Sequence, residues 1–256
     1  MRLFTMCMAC LKELGHPSFE PLFVPYFDER ILEFTCSRGH KNVQVIQSQK
    51  FEVLLESGAN ALLADFTLEA SASFSTALER LYEFAFKVLI IDSGISNDSY
   101  AEMFKEMARQ SERQLGGFLA LHLVKFGTSY TLNQSITEFR NSVIHKGLIP
   151  KPKDAKEFCS KVYDEILKIT KKLRLKFPEA LQKTIILDIA DRSQNIDPVI
   201  TRSTSTGCMF FSLSNENNKN TFDEAFKAFQ EYQKIIEGAV PYLETCTKRL
   251  KEEKNK

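Results

Sequence analysis

Two groups of residues have types and spacing that suit chemistry. The first is the run Arg140-Asn141-Ser142-Val143-Ile144-His145. An arginine offers a permanently charged planar fork that matches a phosphate, and a histidine carries a proton that titrates near neutrality. With an amide between them, the set suits work at a phosphodiester: charge for the phosphate, an orienting hydrogen bond and a proton carrier. The second group pairs Cys7-Met8-Ala9-Cys10 with Cys36-Ser37-Arg38-Gly39-His40. Four nitrogen and sulfur donors in two pairs are what tetrahedral structural zinc takes, and a closed set of four leaves no open position for catalysis. His16 is a rival fourth ligand, although it has no paired knuckle.

Both groups depend on elements that hold them together. Residues 1–46 read as a small module of short strands, punctuated by Pro17, Pro21 and Pro25. Cys36 follows the strand-like Ile31-Leu32-Glu33-Phe34, and Gly39 supplies the positive φ that a turn there needs. So few apolar side chains call for a metal staple. From Gln49 the chain turns helical. Apolar residues recur at period 3.6 from Phe51 to Leu63 and from Phe74 to Leu89, stopping before Asp92-Ser93-Gly94. A third helix is expected from Ser99 to Phe126, weakened at Gly116-Gly117, with His122 as a core histidine.

The fourth helix carries the Arg/Asn/His run. Thr131 with Gln134 reads as a capping box, and Gly147 with Pro150 as the stop. At about 100° per residue, Leu132, Ile136, Phe139 and Val143 share one stripe, and Arg140, Asn141 and His145 fall in an adjacent arc of about 140°. Asn141 and His145 are i and i+4 neighbours, and the long arm of Arg140 can swing back to them. The competing assignment pairs Arg140 with Glu138 or an acid of a neighbouring helix and lets His145 cap the helix end through its dipole. A fifth helix is expected from Asp154, with Glu157 as its box partner. Beyond Pro178, residues 181–190 read as helix or strand, 192–206 as turn-rich, 208–213 as a strand and 215–220 as a loop. A long helix then opens at Thr221, meets Pro241 and ends in a charged tail from Lys248.

Composition narrows the partners. With 43% apolar and 26% charged residues and a net charge of +1, the chain has no global pull towards nucleic acid or membrane. The charge is unevenly placed, however. From 51 to 112 eleven acids face four bases, whereas from 134 to 177 eleven bases face five acids. A local basic field therefore surrounds the Arg/Asn/His run and hints at an anionic partner. The six scattered cysteines form no disulfide framework, and neither a signal peptide nor a membrane span is visible. The expectation is a cytoplasmic protein with reduced thiols.

The Arg140–His145 run, set late in a helical bundle, resembles the R-x4–6-H motif of the HEPN superfamily, with the polar residue straight after the arginine. The resemblance covers about residues 50–177. The first 46 residues separately resemble a zinc ribbon. The expected fold is mainly α: a zinc-ribbon-like module over 1–46, then a HEPN-like domain over 47–256, comprising a core at 50–177 and a mixed extension over 178–256 that ends in the long helix. The resemblance implies a metal-independent endoribonuclease of the toxin or antiviral-defence kind, working on RNA as a homodimer with a composite cleft, with an antitoxin or sensor protein as a further candidate partner. Arg140, Asn141 and His145 would then be catalytic, and Lys146, Lys151 and Lys153 would hold RNA phosphates. Cys7, Cys10, Cys36 and His40 would bind a structural zinc. The alternatives are a non-catalytic zinc-ribbon and helical adaptor, or a module that binds a nucleotide or RNA.

Overall fold

Residues 2–215 and 218–254 are described in a computed structural model of the 256-residue chain. The fold is mainly α with a small amount of sheet, and the chain divides into two compact units. The first combines Met1–Ser48 with Ile189–Met209 and Lys227–Lys256; the second combines Gln49–Asp188 with Phe210–Phe226.

In the first unit, β1 (Arg2–Thr5) leads into α1 (Met8–Leu14) and pairs antiparallel with β2 (Leu22–Pro25). β3 (Ile31–Thr35) and β4 (Lys41–Ile46) form a hairpin whose turn uses Gly39 at φ 85°, the left-handed region glycine tolerates. A third strand, β5 (Thr201–Ser205), pairs parallel with β4, with Val43 opposite Arg202. This strand lies in the stretch expected to be turn-rich. Its burial only alternates between half-buried and exposed, so hydrophobicity gives it no signature, and its strand character comes from the β4 edge it pairs with. Leu3, Val24, Leu32 and Ile46 make the small core. Gly207 abuts it so closely that a Cβ there would lie 2.9 Å from the Ile46 side chain. Arg192 donates to the carbonyls of Arg30 and Ile46 at 3.1 and 2.9 Å.

The second unit is a helical bundle built around α3. α2 (Lys50–Leu63) starts on a Gln49/Glu52 capping box, and α3 (Thr67–Asp92) packs against it. A Cβ on Gly58 would meet the Phe74 ring at 2.5 Å, so glycine is what permits that approach. α4 (Asn97–Lys105) and α5 (Ser111–Phe126) follow where one helix was expected. The break falls between 105 and 111 and not at Gly116-Gly117. Gly117 instead lets α5 close on α3, since a Cβ there would lie 2.9 Å from the Phe86 ring. α6 (Gln134–Lys146) and α7 (Pro152–Lys176) both pack on α3. Their starts differ from expectation. Asn133, not Thr131, caps α6 by accepting from Ser135 N–H at 3.1 Å, and α7 begins at Pro152, whose fixed φ and missing donor suit a first helical position.

α8 (Pro178–Ser193) resolves the helix-or-strand ambiguity as helix. Residues 208–213 are irregular and not a strand. Two buried carboxylates explain this: Glu56 accepts from Phe210 N–H at 3.1 Å and Glu52 from Leu213 N–H at 2.7 Å, so these donors are satisfied without a neighbouring strand. Phe210 and Phe211 are both buried, joining Phe51, Phe74 and Tyr163 in an aromatic core. α9 (Phe222–Lys254) opens with Thr221 Oγ1 accepting from Glu224 N–H at 3.3 Å and continues through Pro241. Of the expected loop at 215–220 and the charged tail, residues 216–217 and 255–256 lie outside the described residues. No helix among the described residues is long and apolar enough to cross a membrane.

Candidate functional site

The first unit gathers Cys7, Cys10, Cys36 and His40. Their ligand atoms all lie within 4.8 Å of one another. Cys10 Sγ is 3.8 Å from Cys36 Sγ and 3.3 Å from His40 Nδ1, and Cys7 Sγ is 3.7 Å from that nitrogen. The local structure accounts for the clustering. Cys7 caps α1, accepting from Cys10 N–H at 3.4 Å, so the first pair spans the first helical turn. The second pair closes the β3–β4 hairpin, where Gly39 N–H donates to Cys36 O at 2.9 Å and Cys36 N–H to His40 O at 3.2 Å. All three cysteines are buried.

The surroundings favour a cation. Burial alone would push the Cys7 thiol up, but the hydrogen bonds from Cys10 N–H and Asn42, with the adjoining His40 imidazole, outweigh it and bring the group to about 7. Asn42 Nδ2 donates to Cys7 Sγ at 3.2 Å. Cys10 moves the other way, up to about 12, through burial and the adjoining Cys7 and Cys36. Two neighbouring thiolates repel unless a cation lies between them. The far ring nitrogen of His40 is 2.9 Å from Glu13 Oε1, while Glu13 Oε2 accepts from Arg38 at 2.8 Å. A carboxylate on the outer nitrogen leaves Nδ1 as the lone-pair donor facing the thiols, the arrangement metal-bound histidines use. His16 lies elsewhere, with Nδ1 2.8 Å from Pro17 O, and is not in the cluster. The four residues are a candidate structural metal site.

The second unit brings Arg140, Asn141 and His145 together on α6. Arg140 Nη1 donates to Asn141 Oδ1 at 3.1 Å and to His145 Nε2 at 2.8 Å. A guanidinium has no acceptor, so His145 Nε2 is the acceptor here and the imidazole is neutral with its proton on Nδ1. The long side chain of Arg140 closes the gap that helical phase leaves. Its Nη2 meets Glu79 Oε1 of α3 at 2.8 Å. Both of the pair are about one-quarter exposed, so the contact is partly screened. α6 ends as the glycine stop predicts: Gly147 has φ 68°, and Leu148 N–H donates to Ser142 O at 3.0 Å.

The lysines are less uniform than their run suggests. Lys146 is exposed in the last turn of α6, Lys151 is exposed at the N-cap position of α7 without a side-chain capping bond, and Lys153 is exposed in its first turn. Elsewhere in the run, Lys156 pairs with Asp223 at 2.7 Å, Lys161 with Glu157 at 2.8 Å and Lys168 with Glu165 at 3.3 Å, so part of the basic field is neutralised locally. His122 is a buried core residue, as expected, stacked against Phe126 and bonded through Nδ1 to Thr128 O at 3.0 Å.

Glu13 and Asn42 were not singled out by the sequence, and Glu79 is the neighbouring-helix acid that the competing assignment of Arg140 left unnamed. Glu79 reads as one of several acids on a solvated helix face, and nothing in its spacing singles it out from Glu83, which pairs along α3 with Arg80. Only the packing of α6 on α3 distinguishes the two. No family model matches the chain, no curated protein matches it, and no solved structure matches it.

Proposed function

We propose that the chain is a metal-independent endoribonuclease of HEPN type that works as a homodimer. The observation that carries this reading is the Arg140 guanidinium donating to a neutral His145 while Asn141 and Glu79 hold it in place. A substrate phosphate would take over the guanidinium and release His145 Nε2. That nitrogen would accept the 2′-hydroxyl proton as the 2′-oxygen attacks phosphorus. The bond to the 5′-oxygen breaks, leaving a cyclic phosphate and a 5′-hydroxyl. Arg140 stabilises the charge gathering on the phosphoryl oxygens, where its hydrogen bonds strengthen. The leaving oxygen needs a proton, and the His145 of a second copy is the group suited to supply it. Ile144, Leu148 and Ile149 flank His145 and are exposed, an apolar margin that such a copy could cover. Lys146, Lys151 and Lys153 would position flanking phosphates without reading sequence.

In the first unit, the reading is a structural zinc in a ribbon-like module. Bonds of 2.3 Å to sulfur and about 2.05 Å to nitrogen in a tetrahedron put S···S near ~3.8 Å and S···N near ~3.6 Å. The closest of the contacts, 3.8 Å between Cys10 and Cys36 and 3.3–3.7 Å to His40, are of that size. Buried, free thiols fit a reducing, cytoplasmic setting.

The decisive experiment incubates RNA and a matched DNA with the protein in chelator, alongside Arg140→Ala and His145→Ala. RNA-only cleavage with a cyclic-phosphate end, lost in both variants, is expected; the same background in all three proteins sinks the reading. A second reading rests on the Arg140–Glu79 ion pair, which can serve simply to tie α6 to α3 in an adaptor that binds RNA or protein without cutting. Under it, Arg140→Ala lowers thermal stability while RNA stays intact with every variant.

A further inference from the structure

Beside the Arg140 cluster, α3, α5, α6 and the residues just before α6 border an open recess of about 270 Å³. Its sides are Leu78, Leu115, Leu132 and Ile136, and Arg140 and Asn141 stand at its edge. Sites for drug-sized ligands run from about 300 to 1,000 Å³, so this one has room for a single planar ring system and little more. A largely apolar slot next to the Arg140 guanidinium, which the nuclease reading gives to a phosphate, fits a base splayed out of a single strand, the form in which proteins read RNA sequence.

Among the polar groups that line the recess, Glu112 and Asn133 narrow the base. Glu112 is exposed in the first turn of α5, and its hydrogen bond from Ser111 Oγ is a weak 3.5 Å. A carboxylate there is an acceptor with capacity for two parallel donors. Asn133 also lines the recess, and its Oδ1 is taken up by Ser135 N–H at 3.1 Å and Ser135 Oγ at 2.8 Å, which leaves the amide N–H groups as donors. The ring that satisfies both presents two adjacent donors and one acceptor. Guanine does so with N1–H and the 2-amino group beside O6. Adenine and cytosine offer a single amino group, and uracil a single imide N–H.

We propose that this recess is a guanine-preferring base pocket, with Glu112 reading the donor edge and Asn133 the O6 side. The assignment to RNA rests on the nuclease reading above, since Arg140 would hold the phosphate attached to that base.

The test is calorimetric titration of the full chain with GMP, AMP, CMP and UMP, alongside mapping of cuts on an RNA that contains every dinucleotide. GMP is expected to bind about five- to tenfold more tightly than the other three, and cuts to fall next to guanine. Glu112→Gln keeps the size but loses one acceptor, and the preference should collapse. Because Glu112 is exposed, this variant leaves the core intact. Leu115→Trp fills the slot and should weaken all four nucleotides. Equal binding of the four nucleotides by the wild type, or a guanine preference that survives Glu112→Gln, overturns the pocket. Cleavage that persists and remains sensitive to Arg140→Ala under that outcome leaves the nuclease reading standing. A guanine preference lost in Glu112→Gln, with no RNA cut, upholds the pocket and removes the nuclease.

Discussion

The two clusters solve opposite physical problems. In the first unit, three cysteines are buried against one another, and their thiols and His40 lie too close for several charges to coexist without a counter-ion. In the second unit, Arg140 already has Glu79, Asn141 and His145 as partners, and it stays partly in water. The first arrangement suits a cation held between its ligand atoms, as the proposed staple requires. The second is already paired within the protein and can exchange one partner for another, as the proposed nuclease requires. Burial and the charge balance of the cluster, more than residue type, separate the two roles.

The largest effect should come from breaking the staple. Cys36→Ser, or a strong chelator, is expected to abolish cooperative unfolding of the first unit and release one zinc per chain, read by elemental analysis and calorimetry. No stoichiometric zinc would erase this difference between the two clusters. Next in size, Glu79→Gln should lower RNA cleavage by about tenfold while Asp92→Asn, which faces Lys125 at the far end of α3, does not. Equal loss in both would show that helix packing matters and not the hold on Arg140.

A third test sharpens the comparison through pH. Burial holds the His122 imidazole below its usual 6.5, Lys172, Lys168 and Lys176 add to that, and the bond to Thr128 opposes it. A group depressed in the folded state contributes stability above its unfolded value and loses it as pH falls. The second unit should therefore be at full stability above about pH 6.5 and melt earlier below it, and His122→Phe should flatten that slope. A slope unchanged in His122→Phe would move the effect to another group. The smallest effect belongs to Lys153→Ala, which should cut the salt dependence of RNA affinity by about 0.7 in log–log slope and leave the cleavage pattern unchanged.

Much of this was legible in the chain because it depends on local geometry. Period-3.6 apolar spacing marks α2, α3 and the centres of α6 and α7, Gly39 and Gly147 mark left-handed turns, and the CxxC spacing pairs two thiols on one tight turn, although the helix α1 that carries Cys10 was not expected among the short strands. Helical phase alone puts Asn141 and His145 on one face. Helix starts were less legible, since several polar residues near 131–134 can cap, and the winner is the one whose side chain reaches a free N–H. What only the tertiary structure decided involves partners distant in sequence. β5 is a strand because β4 offers an edge, residues 208–213 are not because Glu52 and Glu56 take their N–H groups, and Glu79 reaches Arg140 across 61 positions. Spacing encodes what neighbours on one element can do. Only packing brings together hydrogen-bond donors and acceptors that chain connectivity does not relate.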